Sequence, residues 1–266
     1  MRKYLELFTN GFDDTLAEKI KPENRPYIGY SPSEGLVFTV IPKPVVYDPY
    51  VTFTAEEDNS SIGLEKLSTY QTLEYSTDTT TWNTFDTTTN ISLNNGDKVY
   101  VRGVLSAGNE FGNNYTQFKM SGKIAASGNC NAIWNYQDLN ASLKVRCGLC
   151  MFSGCASLTT APELPATMLT EGCYCEMFHG CTSLTTAPEL RATMLARGCY
   201  SNMFNGCTKL NHITCLATDI SAEYCTINWV KGVSSTGTFV KYPSMNRWST
   251  GTSGIPSGWT VVDAEL

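Results

Sequence analysis

A repeat with a period of 26 residues occupies the second half of the chain and limits the folds that this half can adopt. Four cysteines follow one another at this step: Cys147, Cys173, Cys199 and Cys225. The same step relates further apolar residues, in the sets Met151, Met177, Met203 and Trp229; Phe152, Phe178 and Phe204; Cys155, Cys181 and Cys207; and Leu158, Leu184 and Leu210. Leu164, Leu190 and Leu216 continue the register, with one residue missing around Ala217 and Thr218. A period of about 20–29 residues is typical of leucine-rich-type solenoids.

The spacing within one unit predicts two short elements. Cys173, Met177 and Cys181 lie at i, i+4 and i+8, which predicts a short helix with a glycine at either end. The Thr-rich segment 184–190 follows and predicts a short strand, because its proline lacks the amide hydrogen that a longer ladder needs. Neither element can bury its apolar face alone, so neighbouring units are expected to stack and complete one core.

The eleven cysteines leave three interpretations open. Most fall on repeat positions, where a cysteine acts as a small buried apolar side chain in a ladder. Disulfides between stacked thiols are a second interpretation, and metal binding is a third. Cys147 and Cys150 have the spacing of a zinc half-site, but no second half-site of convincing spacing follows, and zinc prefers four ligands. We therefore expect buried thiols, and the sequence predicts neither a metal site nor a cofactor.

Residues 45–125 show the alternation of apolar and polar residues that is typical of strands. Short alternating runs recur at regular spacing, which indicates a small β-sandwich of the Ig-like kind. The segment 94–97, Asn-Asn-Gly-Asp, predicts a turn between two such runs, and the segment 75–82 predicts a hairpin with Trp82 as a core or rim aromatic.

The first 44 residues are punctuated by five prolines and carry an aromatic island, and they predict an extended docking arm. Tyr27, Ile28 and Tyr30 are the candidate anchors of this arm on a partner. An arm that packs on its own domain and a disordered leader are the alternatives.

Together these patterns predict a mainly β protein with short helices. We expect a docking arm over 1–44, a β-sandwich over 45–125, leucine-rich-type repeats over 126–220 and a C-terminal capping segment over 221–266.

Charge and hydropathy exclude two classes of partner. A net charge of −6 and an isoelectric point near 5.0, without any run of Lys and Arg, argue against nucleic acid, since phosphates require a clustered cationic face. No stretch approaches the ~20 apolar residues of a membrane-spanning helix. Polar and acidic residues follow the first five residues, so we also expect no signal peptide.

No pattern in the sequence indicates catalysis, and we expect a protein that is not an enzyme. The two histidines, His179 and His212, have no nucleophile motif near them, and no glycine loop for a nucleotide is present. The acidic segment 56–58 has the oxygen ligands that calcium prefers, but a solvated loop is the simpler interpretation. The sequence therefore predicts no catalytic residues.

The unit at 172–195 reads Gly-Cys-Tyr-x-x-Met-Phe-x-Gly-Cys-Thr-Ser-Leu-Thr-Thr-Ala-Pro-Glu-Leu-x-Ala-Thr-x-Leu, with near copies on both sides. It resembles the BspA-like leucine-rich-repeat family, and the resemblance covers roughly residues 120–262. Such repeats are abundant in surface proteins of gut Bacteroides and in phages that infect gut bacteria. The chain departs from the pattern in having only about three units, and in Arg191 at the place that Pro165 holds one unit earlier. The resemblance implies surface display and partner binding.

These features lead to the hypothesis of a virion structural protein of a gut bacteriophage, placed on the virion surface as a capsid decoration or fibre. The arm would attach it to other capsid or tail proteins, and the repeats would face host-surface or mucus glycans. A phage protein assembles in a reducing cytoplasm, which suits buried thiols. A bacterial cell-surface adhesin of the same repeat family is the alternative, and a carbohydrate-active enzyme with accessory repeats is a third class.

Positions that differ between units while the core stays fixed are the candidate ligand-binding residues. They are Glu171 against Arg197, Glu176 against Asn202, and His179 against Asn205. The alternative for each is a solvated loop residue that is free to drift.

Overall fold

The protein is described by a computed structural model over residues 48–106 and 114–265, together with the backbone of 29–31 and 35–37. The chain divides into two compact units, Met1–Val46 and Tyr47–Leu266. In the first, β1 (Gly29–Ser31) pairs antiparallel with β2 (Gly35–Val37). The predicted anchors Tyr27 and Ile28 lie outside the described residues, and of Tyr30 only the backbone, in β1, is described.

The described residues of the second unit are mainly β and form three sheets. The strands of its first part are β3 (Val51–Ala55), β4 (Ser60–Lys66), β5 (Gln71–Ser76), β6 (Asn83–Thr84), β7 (Asn90–Leu93), β8 (Lys98–Leu105), β9 (Gln117–Ser121) and β10 (Ile124–Ser127). The repeat adds β11 (Leu158–Thr160), β12 (His212–Cys215), β13 (Thr238–Lys241) and β14 (Thr260–Asp263). A six-stranded sheet has the order β11-β10-β3-β8-β5-β6, and three-stranded sheets have the orders β7-β4-β9 and β12-β13-β14.

Two of these sheets share an aromatic core because apolar side chains alternate along their strands. In β3 and β8 every second residue is buried. Phe53 of β3 lies 5.3 Å from Phe118 of β9, and Phe118 lies 6.1 Å from Phe85, measured between ring centroids. The six-stranded sheet therefore packs against the sheet β7-β4-β9 through these rings.

The predicted hairpin and turn are both confirmed. Strand β5 pairs antiparallel with β6, and Trp82 lies half-buried at the rim, 3.8 Å from the guanidinium carbon of Arg102. At the turn, the amide of Asp97 donates to the carbonyl of Asn94 over 3.0 Å. This turn joins β7 to β8, which belong to different sheets, so it carries the chain from one sheet to the other.

The short helix predicted within each repeat is wrong. Residues 171–180 form consecutive turns, and the one α-helix among the described residues is α1 (Asn131–Asn135). Amides of alternate residues point in two directions: Met177 donates to Tyr174 within the unit over 3.2 Å, whereas Phe178 donates to Met203 of the next unit over 3.0 Å. An α-helix directs every amide along its own axis, so it would forfeit the bonds between units.

The strand predicted over 184–190 is reduced to isolated bridges, Thr186 with His212 and Leu190 with Cys215. The proline at 188 has no amide hydrogen to extend the ladder. The bridges also correct the register: the step is 26 residues at Thr186 but 25 at Leu190, so the missing residue precedes Cys215. Cys215, and not Leu216, occupies the buried place of Leu190.

The core of the repeat consists of stacked identical residues. The rings of Phe152 and Phe178 lie 5.5 Å apart at 7°, and those of Phe178 and Phe204 lie 5.7 Å apart at 5°. The same turns continue over 223–232, inside the predicted capping segment. There Trp229 is buried and stacks on Trp248 at 5.5 Å, which closes the apolar column at its end.

The sheet and the repeat are continuous with each other. Strand β10 pairs antiparallel with β3 and parallel with β11, the first strand of the repeat. Phe118 also stacks on Phe152 at 5.1 Å, and the amide of Gln117 Nε2 donates to the carbonyl of Ser153 over 2.7 Å. Residues on both sides of the expected boundary at 125 thus share one sheet and one core.

Candidate functional site

We use the word row for the residues that occupy one repeat position in successive units. One such row has glycines in its two central units and large residues in its first and last units. Arg146, Gly172, Gly198 and Tyr224 form this row, with left-handed φ values of 58°, 64°, 63° and 60°. A Cβ atom on Gly172 would lie 2.9 Å from Cγ of Arg146, so the arginine side chain extends over that glycine. No atom within 4 Å covers the corresponding point on Gly198.

A second row repeats the contrast of large ends and a small centre. Leu149 and Ile227 stand at its ends, and Cys175 and Ser201 lie between them. The two rows enclose a cavity of ≈ 320 Å³, which we call the depression. It is lined by Arg146, Leu149, Glu171, Gly172, Cys175, Arg197, Gly198, Ser201, Tyr224 and Ile227.

A charged row forms one wall of the depression. Arg197 Nη1 lies 3.0 Å from Glu171 Oε1, and Arg197 Nε lies 3.1 Å from Glu223 Oε2. Hydrogen bonds from Tyr224 and from Arg197 lower the pKa of Glu223, and the bonds to Glu223 and Glu171 raise the pKa of Arg197. All three groups are solvent-exposed, so the row contributes little to folding stability and remains available to a ligand.

An aromatic ring and an aliphatic side chain complete the lining. Tyr224 is 54% exposed and Ile227 is 39% exposed, so both present apolar surface to the solvent beside the charged row. The guanidinium carbon of Arg197 lies 5.9 Å from the Tyr224 ring centroid. The hydrogen bond to Glu223 raises the pKa of the Tyr224 hydroxyl, which is therefore protonated at neutral pH.

The chemistry of the lining suits recognition. Burial raises the pKa of the Cys175 thiol to about 11, so the nucleophilic thiolate is scarce at neutral pH. The Arg197 guanidinium and the Glu171 carboxylate in the lining, with Glu223 beside them, offer several donors and acceptors along one wall of the cavity.

The structure brings two of the six sequence-predicted ligand-binding residues, Glu171 and Arg197, into the depression. The other four are half-buried and lie outside the lining: Glu176, His179, Asn202 and Asn205. Glu176 accepts a weak hydrogen bond from the Cys150 thiol over 3.7 Å, and Asn205 donates to Asn202 over 3.3 Å.

Sequence reasoning missed Arg146, Tyr224 and Ile227. The repeat itself could have identified two of them, because steps of 26 residues from Gly172 and Gly198 lead to Arg146 in one direction and to Tyr224 in the other. It also missed Met168 and Met194, which are 84% and 68% exposed, bridge each other and occupy one repeat position.

The carboxylates of the acidic segment 56–58, which the sequence offered as possible calcium ligands, make contacts within the protein. In the acidic segment, Glu56 accepts from the Thr159 hydroxyl over 2.7 Å, Glu57 lies 3.5 Å from Lys123, and Asp58 accepts from the amide of Asn95 over 2.9 Å. Across the part of the chain that the structure describes, no group of three His, Cys, Asp or Glu side chains is placed to hold a metal ion.

All eleven cysteines are free thiols; ten of them are buried, and Cys175 is partly buried. The burial agrees with the interpretation of cysteine as a small apolar ladder residue.

Within the same described ranges, no helix is long and apolar enough to cross a bilayer. A scan against protein-family models finds no match, and searches of curated proteins and of solved structures find no significant match either.

Proposed function

We propose that this chain is a non-enzymatic virion structural protein of a gut bacteriophage, a capsid decoration or fibre. In this proposal the arm over 1–44 attaches it to other virion proteins. An Ig-like sandwich and a short leucine-rich-type solenoid are then displayed on the virion surface for adhesion to host or mucus glycans.

The observation that carries the proposal is a depression built from irregular positions within a regular stack. The buried rows repeat the same residue types, as Phe152, Phe178 and Phe204 do. Around the depression the rows change residue type from unit to unit, as from Gly198 to Tyr224. A solenoid keeps its core fixed for stability and can vary its surface for binding, so this contrast favours a displayed binding surface.

The thiols support assembly in a reducing compartment. Eleven free cysteines in one chain would be open to oxidation during folding in an extracellular space. A phage protein folds in the cytoplasm and reaches the exterior by lysis. The resemblance of the repeat to proteins of gut bacteria and their phages agrees with this route.

Electron microscopy of the particles that carry this chain tests the proposal. We expect regular density on the capsid or tail, with the repeats outward and the first 44 residues at the contact. Density on a bacterial envelope and none on virions would overturn the proposal and make the chain a cell-surface adhesin.

Removal of residues 1–44 tests the anchoring role separately. The shortened chain is expected to be lost from purified particles. Its circular dichroism and its melting temperature should match those of the full chain, because Tyr47–Leu266 forms a compact unit by itself. Retention of the shortened chain on particles would show that the attachment lies elsewhere.

A further inference from the structure

The size of the depression limits its ligand to a small group. Its volume of ≈ 320 Å³ is at the lower end of the ~300–1,000 Å³ of small-molecule sites. Since Arg146 extends over Gly172, the free length runs from that glycine to Tyr224, two steps of the stack. Hydrogen-bonded chains stack about 5 Å apart, which leaves roughly 10 Å, enough for one sugar ring.

The ends and the floor of the depression offer two kinds of contact. The backbone at Gly198 is open to close approach, because no atom lies within 4 Å of the point where a Cβ would stand. At one end stands Tyr224, which is 54% exposed as a residue. An aromatic face carries partial negative charge and attracts the weakly positive C–H groups of a pyranose.

The charged wall has donors and acceptors to spare. Arg197 uses Nη1 and Nε for its two ion pairs, and a guanidinium has five N–H groups. Each carboxylate has about four acceptor sites; Glu171 uses one of them on Arg197, and Glu223 uses two, on Arg197 and Tyr224. Adjacent hydroxyl groups, which both donate and accept, match such a wall.

The balance of charge selects a neutral ligand. Arg146, Arg197 and Glu171 line the depression, and Glu223 stands beside the lining, 3.1 Å from Arg197, so two carboxylates offset the two guanidinium groups. An anionic sugar would gain from the arginines and lose to the glutamates, so the net field gives it no advantage.

We propose that the depression binds one neutral pyranose residue of a glycan. The sugar ring stacks on Tyr224, and its hydroxyls exchange hydrogen bonds with Arg197 and the two carboxylates beside it. The inference rests on the proposed adhesive function and names the ligand class of that function.

Ligand-observed and protein-observed NMR on the full chain tests this assignment. The probes are the methyl β-pyranosides of glucose, galactose and N-acetylglucosamine, with N-acetylneuraminic acid as the anionic comparison. We expect at least one neutral probe to shift the amide signals of Gly198 and Ser201, with a Kd on the order of 1 mM, because a ligand of few atoms makes few contacts. If no neutral probe shifts these signals at concentrations well above the expected Kd, or if N-acetylneuraminic acid binds more tightly than the neutral probes, the proposal is overturned.

Two variants and a matched control locate the binding. Tyr224→Asn removes the ring, and asparagine tolerates the left-handed backbone of this position, where φ is 60°. Ser201→Phe fills the depression from its centre. Each is expected to weaken binding about tenfold or more. Tyr70→Asn removes an aromatic ring of comparable exposure, 40%, away from the depression, and should leave the affinity unchanged.

The result is separable from the virion assignment. If Tyr224→Asn and Ser201→Phe each bind the probe as tightly as the unmodified chain does, with an unchanged melting temperature, the sugar site is overturned. Particle density as described above would then still support the virion role.

Discussion

At the scale of single residues, the buried thiols are placed as weak donors as well as apolar groups. Cys155 donates to the carbonyl of Phe118 over 3.3 Å, and Cys181 donates to that of Phe152 over 3.1 Å. Cys207 donates to the carbonyl of Phe178 over 3.0 Å. In this row, Cys181 and Cys207 each bond to the unit before them, so the cysteine both fills a small volume and donates to a buried carbonyl.

These thiols predict a loss of stability at alkaline pH. Burial raises the pKa of Cys155, Cys207 and Cys215 to about 12, against an ordinary value near 9.0. Below about pH 8 the thiols are protonated in both the folded and the unfolded chain, so they cause no change of stability with pH. As the pH rises above about 9, only the unfolded chain loses these protons, so each thiol lowers the free energy of unfolding by about 1.4 kcal/mol per pH unit.

Urea denaturation in the presence of a reductant, at about pH 7, 9 and 10, measures this effect. The variant Cys207→Ala is the control, because it should be less stable at neutral pH but show a shallower decline above pH 9. A free energy of unfolding that stays constant up to about pH 10 would contradict the prediction.

At the scale of elements, the stacked phenylalanines hold successive units together. Phe178 lies between Phe152 and Phe204, with centroid distances of 5.5 and 5.7 Å. The column runs on through Phe118 at one end and Trp229 at the other. Such a column makes each unit depend on its neighbours for burial.

We expect Phe178→Ala to lower the free energy of unfolding by about 3–5 kcal/mol, because it leaves a cavity within a fully buried column. Chemical denaturation measures the change. Met168→Ala is the control, since Met168 is 84% exposed, and a change within about 0.5 kcal/mol is expected there. Similar losses for the two variants would show that the column does not stabilise the stack.

At the scale of the whole molecule, the sheet region and the repeat of the second unit behave as one body. The pairing of β10 with β11 and the stacking of Phe118 on Phe152 join them through both backbone and side chains. The core therefore runs from the two packed sheets to the C-terminal tryptophans without an interruption.

This continuity predicts a single unfolding transition for residues 47–266. Hydrogen exchange at increasing urea should show that the amides of β3 and β8 lose protection together with those of Phe178 and Phe204. Two transitions, with the repeat amides exchanging first, would show that the sheets fold independently of the repeat.

The sequence alone determined the features that depend on local spacing. The 26-residue step predicted which side chains are buried in columns, and the Asn-Gly and Trp82 segments predicted a turn and a hairpin. Residue type and spacing are sufficient there, because burial and turn geometry follow from the residues themselves.

The tertiary structure decided what depends on the neighbouring unit. The i, i+4 spacing of Cys173 and Met177 fits a helix, but the amides of alternate residues bond to a neighbouring unit, and turns with left-handed residues allow this. The depression also exists only once the units are stacked. Arg146 and Tyr224 are 78 residues apart in the chain, and stacking places them at the two ends of one row with two glycines between them. Burial and turn geometry within one unit can be predicted from the sequence of that unit, whereas a cavity formed across four units depends on how the units stack.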